Sequence, residues 1–396
     1  MEETEGIVML EAMAMQTPVL VRDIPVYEGW LEHGRTVYKG KRREDFEQLL
    51  PAILEKQLPD LTQEAYQLVR ENSITKIGTA LAEIYDSLFE RGPMKILITT
   101  DWYEPVINGV VTSVLTLKKE LTRKGHEVRV VTLSERGHSY KEEDVYYMRS
   151  VDISRIYPGA RAVCFPGSRL YEELIAWQPD IIHSQCEFSS FLVARKIAAQ
   201  LGIPIVHTYH TVYEDYTHYF SAGRPWGKQA AAWFSRFILE KTDFVIAPTQ
   251  KVKGILNSYG VDRPVAVIPT GIRLERFLPV SWEAVERDRR EIREKYGIEE
   301  GKKGTSCSGT ACQRKNIEEI ITYFGRMNRE DMELLIVGDG PCRKELEQLS
   351  DEQKNSVRIH LREWHPPMKR QLTTGRRIFL SALPKAKPRE LPIWRL

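Results

Sequence analysis

Nowhere does this chain of 396 residues run to the ~18 consecutive apolar residues that a membrane-spanning helix needs, so none is expected. A basic flank, short apolar run and small-residue cleavage site are also missing from its start, which argues against export. Cysteine is scarce. Cys164, Cys186, Cys307, Cys312 and Cys342 form no C-x-x-C pair and no histidine-flanked cluster, which leaves no metal site and no disulfide framework to expect. Reduced thiols in a cytoplasmic protein are the expectation. Charge of one sign is lacking too: 57 Lys and Arg stand against 55 Asp and Glu, a formal net charge of +2. The whole molecule therefore has no pull toward nucleic acid, and any preference for an anion or a membrane must be local. What remains is an ordinary globular mixture, 42% hydrophobic and 28% charged, long enough for two or three domains.

The first part, residues 1–92, reads as a loop, a helix over 6–15, a short strand at 19–21, and helices over 43–56 and 62–90. Arg91-Gly92-Pro93 breaks that pattern just before Met94. From there buried-strand runs recur at 95–99, 127–131, 180–183, 204–208 and 243–247, separated by amphipathic helices. One helix places Val110, Val114, Leu117 and Leu121 on a single face and stops at Gly125. Near-continuous apolar strands alternating with such helices predict a doubly wound parallel sheet. Runs at 265–269 and 334–338 repeat the pattern in a second unit, with a charged helical stretch over 278–298 between them.

Two stretches lack either period. Residues 304–314 stand where the second unit needs its first strand but contain no apolar run, and 358–396 is rich in Arg, Pro and Trp. Back-translated and shifted by one base, the first can encode Val-Leu-Leu-Val-Val-Gly-Arg-Leu-Ala-Lys, a buried strand and loop. Parts of the second become similarly ordinary. Both are expected to be out-of-frame translations, a reading that resequencing without a shift would end.

Several positions suit ligand chemistry. Asn108-Gly109 lies between a strand end and a helix start, where backbone N–H groups can meet an anion; the alternative is a plain turn. His210 follows the strand over 204–208, at the edge where open α/β sheets bind ligands, although a lone histidine also serves structure. Glu187 holds a comparable strand-end place, and His207 and Tyr216 flank His210. Trp226, Lys228, Trp233 and Arg236 set aromatic and basic residues on one helix, either to meet an anionic leaflet or to bury Trp233 and Phe237 in the domain.

Glu3 and Glu11 form a Glu-x(7)-Glu pattern followed by Pro18-Val19. That pattern resembles the nucleotide-sugar signature of family-4 glycosyltransferases, which lies near their C-terminus in the second of two Rossmann-like domains. Asp101-Trp-Tyr-Glu-Pro-Val-Ile-Asn-Gly109 and His207-Thr-Tyr-His210-Thr-Val-Tyr-Glu-Asp-Tyr216 resemble that family again, and within it the bacterial diacylglycerol glucosyltransferases. The resemblance implies a GT-B-like α/β fold of two doubly wound parallel-sheet domains, the second incomplete or scrambled. It assigns 1–92 to the end of a donor-binding domain, 94–275 to the acceptor-side domain, 276–357 to the start of a donor-side domain, and 358–396 to an out-of-frame tail.

It further implies a retaining transfer of a hexose from a UDP-sugar, expected to be UDP-glucose, to diacylglycerol or a glycolipid at the cytoplasmic membrane face. No further cofactor, metal or nucleic acid is implied. His210 would contact the transferred sugar; Gly109, Gly338 and Gly340 would let the backbone approach the donor; Glu3 and Glu11 would meet sugar and ribose hydroxyls. The family's diphosphate-gripping arginine and lysine are spelled in the shifted reading of 304–314, so a catalytically dead fused remnant is a rival, as is a related transferase with another lipid or glycan acceptor. A third arrangement is a natural permutation, in which 1–92 complete the domain begun at 276.

Overall fold

The computed structural model describes residues 6–88, 92–106, 108–154, 160–164, 169–211, 213, 225–274, 303–308, 317–326, 329–337, 342–352, 358–362 and 377–380, with single positions between 287 and 294. They fall into two compact units, one of Met1–Glu71 with Ile272–Leu396, the other of Asn72–Gly271.

The first unit is built from both ends of the chain. The N-terminal part supplies α1 (Ile7–Ala14), β1 (Val19–Arg22), β2 (Tyr38–Gly40), α2 (Arg43–Leu54) and α3 (Thr62–Glu71). The C-terminal part supplies β12 (Lys303–Ser308), α10 (Ile317–Arg326), β13 (Met332–Val337), α11 (Arg343–Glu352), β14 (Arg358–Arg362) and β15 (Arg377–Leu380). All six strands join one sheet in the order β14-β13-β12-β15-β1-β2. Every pairing is parallel, with Val19 opposite Phe379 where the two ends of the sequence meet. Alternation along β1 serves two cores, as the two-residue period of a strand requires. Leu20 packs with Leu50, Phe324, Leu334 and Ile336, while Val19 and Val21 pack with Met9, Met13, Val69 and Ile272.

Two sequence expectations change here. The segment 62–90 is two helices, because α3 packs with α1 in this unit whereas α4 (Ile74–Leu88) belongs to the other. Asn72-Ser73 makes the break, with the Ser73 carbonyl accepting from Ile77 N. Second, β12, β14 and β15 form inside stretches that showed no pattern. Strand β12 is paired on both sides, so its backbone groups are satisfied without apolar side chains to announce them. In β14 a period of two was present in Arg-Ile-His-Leu-Arg, and it puts Ile359 and Leu361 in one core. The two compact units themselves divide at 71/72 and 271/272.

The second unit contains α4, then β3 (Lys95–Thr99), α5 (Gly109–Arg123), β4 (Glu127–Ser134), β5 (Tyr140–Glu142), β6 (Val145–Asp152), β7 (Arg161–Val163) and α6 (Arg169–Trp177). It continues with β8 (Ile181–Ser184), α7 (Ser189–Leu201), β9 (Ile205–Thr208), α8 (Pro225–Leu239), β10 (Phe244–Ala247), α9 (Gln250–Ser258) and β11 (Val265–Val267). Its sheet runs β11-β10-β9-β8-β3-β4-β6-β5, with β7 beside β6. The sheet is mixed rather than wholly parallel, since β5 and β7 pair antiparallel with β6. Ile96 and Ile98 face a core with Leu81, Tyr85, Val114 and Leu121; Leu97 faces one with Leu174, Phe191 and Ile197.

Helix α4 sits unusually close to its neighbours. A Cβ on Gly78 would lie 2.4 Å from Cγ of the buried Glu120 on α5, and one on Gly271 would lie 2.9 Å from the Ile74 Cα. The second obstacle is backbone and cannot swing aside. Gly271→Ala is therefore expected to destabilise this unit by about 1–3 kcal/mol, an overpacking cost. Thermal melts of the variant and the parent chain would show it, and an unchanged melting point would contradict this packing.

Candidate active site

From β3 the chain first winds outward through β4 and β6, then returns to lay β8 on the other side of β3. The carboxyl ends of β3 and β8 thus flank a topological switch point, where loops diverge and open α/β sheets bind ligands. The residues just past those ends are mostly polar and are buried or half-buried. After β3 come Thr100 and Asp101; after β8 come Gln185, Cys186 and Glu187; after the neighbouring β9 come Tyr209 and His210.

Period-two alternation sorts these residues by face. His210 meets Gln185 on the face covered by α4 and α5, its ring Nε2–H donating to Gln185 Oε1 at 2.8 Å. The Gln185 amide nitrogen is buried with no partner among the described residues. Glu187 is buried beside His207, whose Nε2 stands 3.4 Å from its Oε1, long for a hydrogen bond. The Tyr213 hydroxyl donates to Glu187 Oε2 at 2.7 Å. His207 is fully enclosed, and its Nδ1 has no partner among the described residues. Asp101 accepts from Ser190 N at 2.7 Å, in the first turn of α7, where a carboxylate complements the helix dipole.

Burial governs the protonation of this cluster. It lowers the His210 ring to about 4, the Glu187 charge opposing and His207 assisting. It takes His183, deeper in the same face, to about 3. Burial raises Asp101 to about 6, although the Ser190 N–H bond works the other way. It also pushes the Cys186 thiol and the Tyr213 phenol well up. At neutral pH the His183 and His210 rings are uncharged.

Among the expected site residues, the structure brings Glu187, His207 and His210 together at adjoining strand ends. Gly109 is the exposed first residue of α5, capped by Asn108 Oδ1, which accepts from Val111 N at 2.8 Å. A Cβ there would meet nothing within 4 Å, so the chain itself does not demand glycine. Glu11 lies buried on α1 in the other unit. Glu3, Tyr216, Gly338 and Gly340 lie outside the described residues. Asp101, Gln185 and Tyr213 were not anticipated. The signal for the first two was their place directly after β3 and β8; Tyr213 had none beyond sharing a segment with His210. Among the described residues no group of three or more His, Cys, Asp or Glu is placed to hold a metal ion.

A different surface adjoins the cluster. Trp233 and Phe237 are not buried: they are 65% and 42% exposed and stack on each other, with the Lys241 ammonium 3.6 Å from the Phe237 ring centre. Phe188 and Leu192 are about half exposed, and Phe188 stacks on Phe234 of α8 and meets the Tyr213 ring edge-on. Helices α7 and α8 contain no acidic residue, while Arg195, Lys196, Lys228 and Arg236 lie exposed on them. Trp226 begins α8. Among the described residues no helix is long and apolar enough to cross a membrane.

Comparison with known proteins agrees with this arrangement. Residues 107–276 match the profile of Glycosyltransferase Family 4. The chain is 35% identical over 258 residues to an alpha-monoglucosyldiacylglycerol synthase of Streptococcus pneumoniae R6, covering 64% of this chain and 58% of that protein. It is 29% identical over 276 residues to an enzyme of the same name from Acholeplasma laidlawii, covering 67% and 69%. The chain thus spans less than two thirds of the pneumococcal relative. Among solved structures, a glycosyltransferase from Rickettsia africae ESF-5 aligns with a TM-score of 0.53 at 16% identity, over 74% of this chain and 73% of that one. At that identity the likeness speaks for the GT-B fold.

Proposed function

From the match of residues 107–276 to the Glycosyltransferase Family 4 profile, we propose that this chain transfers glucose from UDP-glucose to diacylglycerol, keeping the α configuration at the anomeric carbon. The observation that carries the proposal is the Gln185–His210 pair beside Glu187 at the switch point, inside a region related to two alpha-monoglucosyldiacylglycerol synthases. The donor sugar is α-linked, so an α-linked product means retention. In such a transfer the bond from the anomeric carbon to the diphosphate breaks, and its electron pair leaves with the diphosphate. The acceptor hydroxyl oxygen bonds to the same carbon and gives up its proton to the departing diphosphate.

This chain's residues would act by position and field. A neutral His210 can sit beside the positive charge developing on the sugar without opposing it, whereas an imidazolium would repel it. The carboxylate of Glu187, braced by Tyr213, gives the site a negative field of the right sign. No protein nucleophile is required.

Incubation of the full chain with radiolabelled UDP-glucose and diacylglycerol in mixed micelles, then lipid extraction, tests the reading. A labelled monoglucosyl lipid with an α anomeric proton signal supports it. Label reaching lipid only from GDP-mannose would favour a mannosyltransferase instead, and no labelled lipid from either donor would favour the inactive remnant.

An acceptor of this kind lies in a bilayer, and we propose that the face of α7 and α8 docks there. Exposed aromatics among cations, on helices without an acid, suit an anionic leaflet. Replacing Trp233 and Phe237 together by alanine is expected to weaken cosedimentation with phosphatidylglycerol vesicles roughly 10- to 100-fold, from the apolar area no longer inserted. Raised salt should weaken the parent chain as well. Equal binding by variant and parent would exclude this face.

A further inference from the structure

We infer that Tyr85 is a positioning residue for this site: from α4, through His183 and Thr208, it holds in register the strand ends that carry Gln185 and His210. The inference rests on the site described above but not on the identity of its substrates. Tyr85 lies outside the family-matched region, on a helix that precedes the first strand of its unit.

The phenol is fully buried, its oxygen 2.5 Å from His183 Nδ1, with the two rings edge to face at 90°. The other ring nitrogen, His183 Nε2, is 2.7 Å from Thr208 Oγ1. One imidazole is therefore pinned at both nitrogens, and it ties α4 to β8 and β8 to β9. Its neutral ring carries a single proton, so one partner donates to it and the other accepts; the phenol is the more acidic of the two hydroxyls and so the better donor, which favours the tautomer with its proton on Nε2, facing Thr208 Oγ1.

Strand register turns this linkage into a constraint on the site. His183 precedes Gln185 by two residues and Thr208 precedes His210 by two, so each pair shares a face of the sheet. The His183–Thr208 contact is thus one pleat beneath the Gln185–His210 contact, and both span β8 and β9. Moving the lower rung shifts the upper one. Helix α4 can serve as the anchor because it is itself seated by the close approaches at Gly78 and Gly271, and by Lys124 Nζ donating to Thr79 Oγ1 at 3.3 Å.

Tyr85→Phe keeps the ring and removes the oxygen, so a residue that merely fills the core would tolerate it. The test uses the full chain labelled with ¹⁵N-histidine, its ring nitrogens followed between pH 4 and pH 8. The groups facing His183 are Tyr85 from α4 and Thr208 from β9, with His207 and His210 the nearest rings; those facing His210 are Gln185, Glu187 and His207. The parent chain should show His183 as one neutral tautomer and His210 titrating near 4. In the variant, His183 should lose its single-tautomer pattern and His210 should titrate about one pH unit higher.

Where the chain transfers sugar, kcat should fall about 10-fold while KM for the donor moves less than about twofold, as for a misplaced but still occupied site. Thr208→Val, which breaks the far end of the same chain without changing shape, should reproduce both changes and stands in if the first variant fails to fold. Ring signals of the folded variants that overlay those of the parent would overturn the inference. A parent chain that transfers no sugar would remove the proposed function while the ring signals still decide this one.

Discussion

Alanine in place of His210 is expected to lower turnover by roughly 100- to 1,000-fold while leaving the second unit folded. The ring is half-buried and makes one described hydrogen bond, to Gln185, so its loss should cost only about 1 kcal/mol of stability. Its value to the proposed transfer should be larger, because it is fixed, uncharged and set at the carboxyl edge where the sugar would lie. His210→Asn, which keeps a donor near the same place, should recover part of the loss. Between pH 8 and about pH 5 the rate should show no step from this ring, whose titration lies near 4. Steady-state kinetics on the glucolipid product would measure all of this. A His210→Ala enzyme within threefold of the parent would remove His210 from the machinery.

The second large effect concerns acid. His183 ionises at about 3 in the folded chain against an ordinary value near 6.5, because burial disfavours its charged form. Between those values the unfolded chain binds a proton that the folded chain refuses, so stability falls as pH falls, by roughly 1.4 kcal/mol per pH unit. Asp101 opposes this. Its folded value of about 6 is raised, so over the interval from about 4 to 6 the folded chain binds the extra proton and gains stability as pH falls. His210, at about 4, reinforces His183 over that same interval. Two histidines outweigh one carboxyl there, and His183 acts alone below it. The net expectation is a loss on the order of a few kcal/mol for residues 72–271 between pH 6.5 and pH 4. Denaturant titrations across that range would measure it for the parent and for His183→Gln, whose dependence should be shallower. Parallel curves would show that His183 is not the source.

Much of the second unit was legible because its strands are buried on both faces. Runs such as Lys95–Thr99 and Phe244–Ala247 are continuous in apolar character and bounded by turns, so their positions could be read directly. Strands β5 and β7 were not, since each has three partly or fully exposed residues and their identity depends on pairing with β6. In the first unit the difficulty was different. Nothing local in Lys303–Ser308 distinguishes a strand from a loop; what makes it one is a neighbour on each side, and those neighbours lie elsewhere in the sequence. The candidate site divides in the same way. His210 and Glu187 could be found from their distance past a strand, whereas the partnership of His210 with Gln185 required knowing that β8 and β9 are adjacent. Tyr85 was beyond reach, since its partner is 98 residues away.

A sheet whose strands come from the two extremities of the polypeptide imposes a timetable on synthesis. When β1 leaves the ribosome, the strand that will lie beside it on one side, β15, is still encoded in the last part of the message. Residues 72–271 are made in between, which takes roughly 10–40 s at ~5–20 residues per second. Throughout that interval Val19, Leu20 and Val21 have an unpaired edge, and the apolar side chains of α1 lack part of the core they will share with Ile272. The nascent chain would therefore mature from its middle outward, with its earliest residues among the last to find their places.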